Sequence, residues 1–231
     1  MKNKIKVSSE LIYLLANMLL SFSVAMMSAA DLGLSMIAAP SFILSRKFDF
    51  LTFGQCEYLI QGVEFIIFCI LVKKIKLTYF GAFATCIIYG AFLDLWRLVI
   101  PAFNPDITAP DSIPMPVRVL FFILGLFLTA MAVAMHFKTY LYPQVCDFFV
   151  KYLSYHFNID RTKFKKAFDF GCLVLSCILT FVFFVKFVGI SWGTAIITVL
   201  NGTLIGFFDK ALDKVFVFVP TFPKLKKALE V

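Results

Sequence analysis

The sequence predicts an all-α membrane protein, with six transmembrane helices in two inverted three-helix repeats and short re-entrant or interfacial segments. Hydrophobic residues make up 61% of the 231-residue chain and charged residues only 16%, whereas soluble domains carry about 25% charged residues. The apolar stretches are each close to the roughly 20 residues that a helix needs to cross the hydrocarbon core. Lysines and arginines collect between those stretches, as in the cytoplasmic loops of membrane proteins.

Six apolar stretches are predicted to span the membrane. They cover residues 11–30, 51–72, 77–100, 117–137, 165–187 and 190–210. The first stretch also resembles a secretory signal peptide, because a basic head precedes it and Ser28-Ala29-Ala30 precedes Asp31 like a cleavage site. That alternative leaves five spans. The length of the apolar stretch favours a retained helix.

The distribution of basic residues predicts the direction of the helices. They precede the first span, follow the second and fourth spans, and recur in the tail. These residues are Lys2, Lys4, Lys6, Lys73, Lys74, Lys76, Lys151, Arg161, Lys163, Lys165, Lys166, Lys224, Lys226 and Lys227. Segment 101–116 carries Asp106 and Asp111 but no lysine or arginine. The positive-inside rule therefore predicts that both termini lie in the cytoplasm and that this loop lies outside.

The two halves of the sequence resemble each other. An offset of 112 residues places Gly81 on Gly193 and Gly90 on Gly202, and it carries Glu57 onto Asp169. Because each half has an odd number of spans, the halves enter the membrane from opposite sides, as in many secondary transporters. One membrane domain, 1–231, is predicted to contain a first repeat, an external loop, a second repeat and a cytoplasmic tail. Their ranges are 1–100, 101–116, 117–215 and 216–231.

Each half also contains a segment that is too short to span. Residues 31–47 are broken by Gly33 and Pro40 but are apolar enough to enter the membrane partway, as a re-entrant or interfacial helix. The counterpart, 138–156, carries Lys151 and several tyrosines, so an amphipathic linker on the membrane surface is the favoured interpretation there.

A polar stripe crosses the second span. Glu57, Gln61 and Glu64 fall on one helical face of an otherwise apolar stretch. Because a charge at the bilayer centre costs at least about 2.5 to 3.5 kcal/mol, such carboxylates usually face a bundle interior or a water-filled cavity. The stripe is therefore predicted to line a site for a cation, a proton or an amine. The alternative is a structural pair of neutral carboxyl groups, since burial favours the uncharged form.

Other polar residues are candidates for the same site. Asp94 and Arg97 are three residues apart and can pair along their helix, or Arg97 can hold an anionic substrate. Asp31 and Glu57 fall at the same predicted membrane level as Asp94. The counterparts in the second half are Asp169 and Asn201.

Catalytic and metal-binding motifs are missing from the sequence. The six cysteines are dispersed without a CxxC pair or a Cys/His cluster at metal-ligand spacing. No GxSxG, phosphate-binding glycine loop or HExxH motif occurs, and no segment alternates basic and aromatic residues. We therefore predict a protein that is not an enzyme, uses no cofactor or metal and binds no nucleic acid.

Several stretches make most of the chain resemble the YczE/YitT-like bacterial membrane proteins. They are ADLGLS at 30–35, EYLIQG at 57–62, GT at 193–194 and NGTLIG at 201–206. The resemblance implies a five- or six-span inner-membrane protein, often taken for a transporter, whose biochemical function is not established. It supplies no catalytic residues. Such proteins usually repeat the Asp-Leu-Gly motif in the second half, whereas residues 138–143 here read KTYLYP.

The favoured function is a small-solute transporter or a membrane-embedded solute-binding subunit, cation- or proton-coupled through the carboxylate stripe. Its expected partners are the lipid bilayer and a small solute or ion. The alternative is a non-transporting scaffold or regulatory partner of another membrane complex. The size also suits the substrate-capturing subunit of an energy-coupling-factor importer, which would need separate ATPase subunits because this chain has no nucleotide-binding motif. A homodimer of two small bundles fits the predicted symmetry as well.

Overall fold

The computed structural model of the protein describes residues 4–73 and 76–229. In chain order these residues form β1 (Ile5–Ser8), α1 (Ser9–Ala30), α2 (Ala39–Lys47), α3 (Phe53–Val72), α4 (Phe80–Val99), α5 (Met115–Phe137), α6 (Val145–His156), α7 (Arg161–Phe184), α8 (Trp192–Val215), β2 (Phe216–Val219) and α9 (Pro223–Leu229). Two of the basic residues used to predict the topology, Lys2 and Lys74, lie outside the described residues.

Six helices in the described ranges are long and apolar enough to cross a membrane, namely α1, α3, α4 with its preceding 3-10 turn, α5, α7 and α8. The six predicted spans are therefore confirmed as helices. The fifth begins earlier than predicted, at Arg161, because the Asp160 carboxylate accepts a hydrogen bond from the Lys163 amide at 2.8 Å and caps the helix there. By the length and composition of these helices, the chain is a multi-pass membrane protein.

α1 is the central helix of the bundle. It packs against α4 and α5, and α8 packs against α5. The backbones of α1 and α5 come close at Gly125, where the Met27 side chain occupies the space that a Cβ atom would need. On the far side of α4 lies α3, which contacts α2 and α6, and both of these short helices contact α7.

The short helix α2 lies inside the bundle, between α3 and α7. Ser41 and Ile43 are fully buried. The strand-like segment before α2 is held by two backbone hydrogen bonds, from the Leu34 amide to the Gly189 carbonyl and from the Gly193 amide to the Leu32 carbonyl, both at 2.9 Å. Segment 31–47 therefore packs against the loop that joins α7 to α8.

The short helix α6 is also buried, which corrects the prediction of a surface linker over 138–156. Val145, Val150 and Leu153 are at most 2% exposed. The helix begins beside the middle of α3, where the Val145 amide donates to Gln61 Oε1 at 3.0 Å. It ends near the start of α4, where the hydroxyl groups of Tyr79 and Tyr152 are 2.6 Å apart. The apolar face of α6 meets α3 and α4 instead of lipid.

Two short strands join the ends of the chain. β1 and β2 pair in parallel, with Ile5 opposite Phe216 and Ser8 opposite Val219. We call the end of the bundle that carries these strands the sheet end, and the opposite end, which carries residues 100–114, the loop end. The tail that was predicted as a cytoplasmic extension, 216–231, forms β2 and α9 over its described part.

Candidate functional site

Glu57 and Gln61 lie in the interior of the bundle, with 2% and 1% of their surfaces exposed. The Gln61 Nε2 amide donates to Glu57 Oε2 at 2.9 Å and to Gln144 Oε1 at 3.3 Å. Gln61 Oε1 accepts the hydrogen bond from the Val145 amide. One amide side chain therefore orients the Glu57 carboxyl group and also holds the beginning of α6.

Several buried polar atoms around Glu57 make no hydrogen bond within the part of the chain that the structure describes. They are Glu57 Oε1, Ser41 Oγ, Gln144 Nε2 and Glu64 Oε2. Ser41 on α2 lies beside the Glu57 carboxyl group without reaching hydrogen-bonding geometry. Buried polar groups nearly always have a hydrogen-bond partner. A cluster of unpaired polar atoms is therefore typical of a site that binds water, an ion or a polar solute.

Glu64 continues the polar stripe toward the sheet end. It lies within electrostatic reach of Glu57, Lys165 and Asp147. The opposite face of α3 is apolar and exposed, with Val63 and Ile66 more than half exposed. The three stripe residues therefore point into the bundle, and the lipid-facing side of the helix carries no charge there.

Lys165 connects the stripe to α6 and α7. Its ammonium group lies 3.1 Å from Asp147 Oδ1 and 3.2 Å from Asp169 Oδ1. Asp169, the predicted counterpart of Glu57, thus joins the same polar region through Lys165. We define the polar chain as Ser41, Glu57, Gln61, Glu64, Gln144, Asp147, Lys165 and Asp169.

Half of this polar chain was not predicted, namely Ser41, Gln144, Asp147 and Lys165. The one signal for them in the sequence is the four-residue spacing of Lys165 and Asp169, which places both on one face of α7. In the described ranges, no group of three or more His, Cys, Asp or Glu side chains is arranged to hold a metal ion.

The predicted ion pair between Asp94 and Arg97 does not form. Asp94 caps α3 instead, since its carboxylate accepts hydrogen bonds from the Gly54 amide at 2.8 Å and the Thr52 hydroxyl at 2.5 Å. Arg97 is buried and pairs with Asp106 at 3.1 Å. The unpaired amides at the start of a helix attract a carboxylate more effectively than one arginine on the same helix does.

Two further predicted residues lie apart from Glu57. Asp31 ends α1 with a φ of 50° and faces Arg118 at 3.6 Å, at the loop end. Burial raises the pKa of the Asp31 carboxyl group above its ordinary value, and the Arg118 charge opposes that rise. Asn201 lies on α8, which packs mainly against α5, and its Oδ1 atom is buried without a hydrogen bond.

Residues 7–210 match a protein family described as a family of unknown function, DUF6198. The chain belongs to the DUF6198 family. No curated protein and no solved structure matches the chain. The part that matches the DUF6198 family includes the whole polar chain, from Ser41 to Asp169, whereas β2 and α9 follow it.

In this DUF6198 protein, replacing Asp94 by alanine is expected to lower the free energy of unfolding by about 1 to 2 kcal/mol, the usual cost of losing a helix cap. Any ligand response that depends on Glu57 should be unchanged, because Asp94 lies outside the polar chain. Denaturant unfolding and ligand titration of the purified variant would check both parts. Normal stability with impaired binding would instead place Asp94 in the site.

Proposed function

We propose that this protein is a small-solute transporter or a membrane-embedded solute-binding subunit, with the polar chain as its binding site. The observation that carries the proposal is the buried Glu57 carboxyl group, which has one oxygen held by Gln61 and the other without a partner. A protein retains a carboxyl group at this depth, against its cost, chiefly where the group has a functional role.

The positions of α2 and α6 support this proposal. Ser41 lies in the first turn of α2, and Val145 is the first residue of α6, so both short helices begin beside Glu57 or Gln61. The start of a helix carries a partial positive charge of about 0.5. Many secondary transporters bind their solute and coupling ion where such broken helices meet. Here the two positive ends lie beside the Glu57 carboxyl group, which can bind a cation or a proton.

The proposal includes the inverted repeat. Each half has the same order of elements, a long helix, a short helix and two long helices, and α2 and α6 extend from Glu57 and Gln61 toward opposite ends of the bundle. We assign the sheet end, with its lysines, to the cytoplasmic side of a bacterial inner membrane. The closer relationship to YczE/YitT-like proteins belongs to the same proposal.

The test is ligand-dependent thermal unfolding of the detergent-purified protein and of the Glu57→Gln/Glu64→Gln double variant. The panel comprises monovalent and divalent cations and amines over a range of pH values, because these are the ligands that buried carboxyl groups would hold. A ligand at 100 times its dissociation constant adds about 2.7 kcal/mol of stability. We expect that stabilisation in the parent and its loss in the variant, which keeps its fold because glutamine still accepts the hydrogen bond from Gln61.

Asp111→Asn serves as the control, because Asp111 is an acidic residue with 97% of its side chain exposed at the loop end. It should respond to ligands like the parent. Uptake of the stabilising ligand into proteoliposomes then separates a transporter from a binding subunit. Equal ligand responses in parent and double variant would remove the carboxylates from the site. No response in either, with a stoichiometric membrane partner that co-purifies, would favour the scaffold alternative.

A further inference from the structure

A cleft of about 610 Å³ opens at the sheet end, between the end of α5, the segment before α6, α6 itself and the start of α7. Its volume lies within the roughly 300 to 1,000 Å³ of pockets that bind small molecules. The side chains that line it include His136, Asp147, Lys151, Arg161, Lys165 and Lys166.

The lining of the cleft is strongly basic. Lys151, Arg161, Lys165 and Lys166 face a single acidic residue, Asp147. Burial alone would raise the pKa of the Asp147 carboxyl group, but the Lys165 ammonium outweighs burial and holds that pKa below its ordinary value. Asp147 is therefore ionised at neutral pH. It balances Lys165, which Asp169 also contacts, so the excess positive charge of the lining is that of Lys151, Arg161 and Lys166. A cleft lined by one sign of charge concentrates ions of the opposite sign.

His136 is among the residues that line the same cleft. Both of its ring nitrogens are buried and make no hydrogen bond with the described residues. Its ring packs edge-on against Tyr13, with 5.7 Å between the ring centroids.

The inner end of the cleft meets the polar chain. Asp147 and Lys165 line the cleft, and both act electrostatically on Glu64. Asp147 is also two residues from Val145, whose amide is bound to Gln61. The Lys165–Asp147 ion pair therefore separates the basic cleft from the carboxylates.

We propose that the cleft is the sheet-end vestibule of the binding site and that it selects solutes with a carboxylate or phosphate group. This inference rests on the proposed function, and it names the class of solute. The anionic group is held by Lys151, Arg161 and Lys166, and the Glu57 and Glu64 carboxyl groups take the coupling cation or proton. The charge of the solute and that of the coupling ion are thus met by different residues.

The experiment measures the binding of inorganic phosphate and citrate at constant ionic strength. The Lys151→Gln/Arg161→Gln/Lys166→Gln variant is compared with Lys163→Gln/Lys210→Gln/Lys214→Gln. Both variants lose three exposed positive charges near the sheet end of the bundle, but the second set of residues lies outside the cleft lining. We expect binding by the cleft variant to be at least about tenfold weaker, which corresponds to about 1.4 kcal/mol. The control variant should bind like the parent.

Two results would overturn the inference. One is equal weakening in the control variant, which would mean that only the overall charge matters. The other is a protein that is more stable in anionic phosphatidylglycerol nanodiscs than in phosphatidylcholine nanodiscs but does not respond to phosphate or citrate. That result would assign the cleft to lipid headgroups. The Glu57→Gln/Glu64→Gln variant separates this inference from the proposed function. It should still bind the anion in the cleft while transport is lost, and anion binding without transport in the parent would reject only the proposed transport.

Discussion

Replacing Gly33 by alanine is expected to lower the free energy of unfolding by about 2 to 5 kcal/mol. Gly33 has a φ of 110°, a conformation that residues with a Cβ atom rarely adopt. An added Cβ atom would also lie 2.7 Å from both the backbone nitrogen and Oγ1 of Thr194. Backbone atoms cannot turn away, so either α8 or the segment before α2 must shift.

The shift caused by Gly33→Ala would break the two hydrogen bonds between this segment and the α7–α8 loop. Thermal or denaturant unfolding in detergent measures the loss. Gly171→Ala is the matched control, because Gly171 is inside α7 and a Cβ atom there meets nothing within 4 Å. That variant should be slightly more stable, by about 0.5 to 1 kcal/mol, since alanine is the better helix former. Similar stabilities for the two variants would contradict the close packing of Gly33 on Thr194.

The second large effect is expected from Gln61→Leu, which should lower the free energy of unfolding by about 3 to 5 kcal/mol. Leucine fills similar space but removes the hydrogen-bond partner of three groups, the Glu57 carboxyl oxygen, the Gln144 amide oxygen and the Val145 amide. The Val145 amide is the first of α6, so its hydrogen exchange should accelerate as the start of the helix is released.

Glu57→Gln provides the contrast for Gln61→Leu. Its amide oxygen can still accept from Gln61, and no charge is buried, so its free energy of unfolding should stay within about 1 kcal/mol of the parent value. Equilibrium unfolding of both variants in the same detergent gives the comparison. If Gln61→Leu unfolds at the parent's denaturant concentration, Gln61 does not hold α6 in place.

The spanning helices and the direction of the polar stripe were predictable from the sequence because each depends on a single property. A stretch of about 20 apolar residues has few alternatives to a membrane-spanning helix. Glu57, Gln61 and Glu64 share one face by helical periodicity alone, and the cost of charge in lipid turns that face inward.

The errors arose where two distant segments meet. Asp94 and Arg97 have the spacing of a pair within one helix, but the amides at the start of α3 are stronger partners for Asp94. The surface prediction for α6 failed because an amphipathic pattern looks the same whether its polar side faces water at a membrane surface or a cleft. Ser41 and Gln144 come from separate short segments, so their meeting at Glu57 depends on tertiary packing.

The pairing of β1 with β2 has a mechanical consequence. β1 leads directly into α1, and β2 directly follows α8. The ladder therefore ties the start of α1 to the end of α8, and α5 packs against both helices. The ladder adds backbone hydrogen bonds to the side-chain packing that holds these three helices together at the sheet end. At that end the spacing of α1 and α8 depends on backbone hydrogen bonds, whereas the contact between α6 and α7 beside the basic cleft depends on side chains, among them the Lys165–Asp147 ion pair.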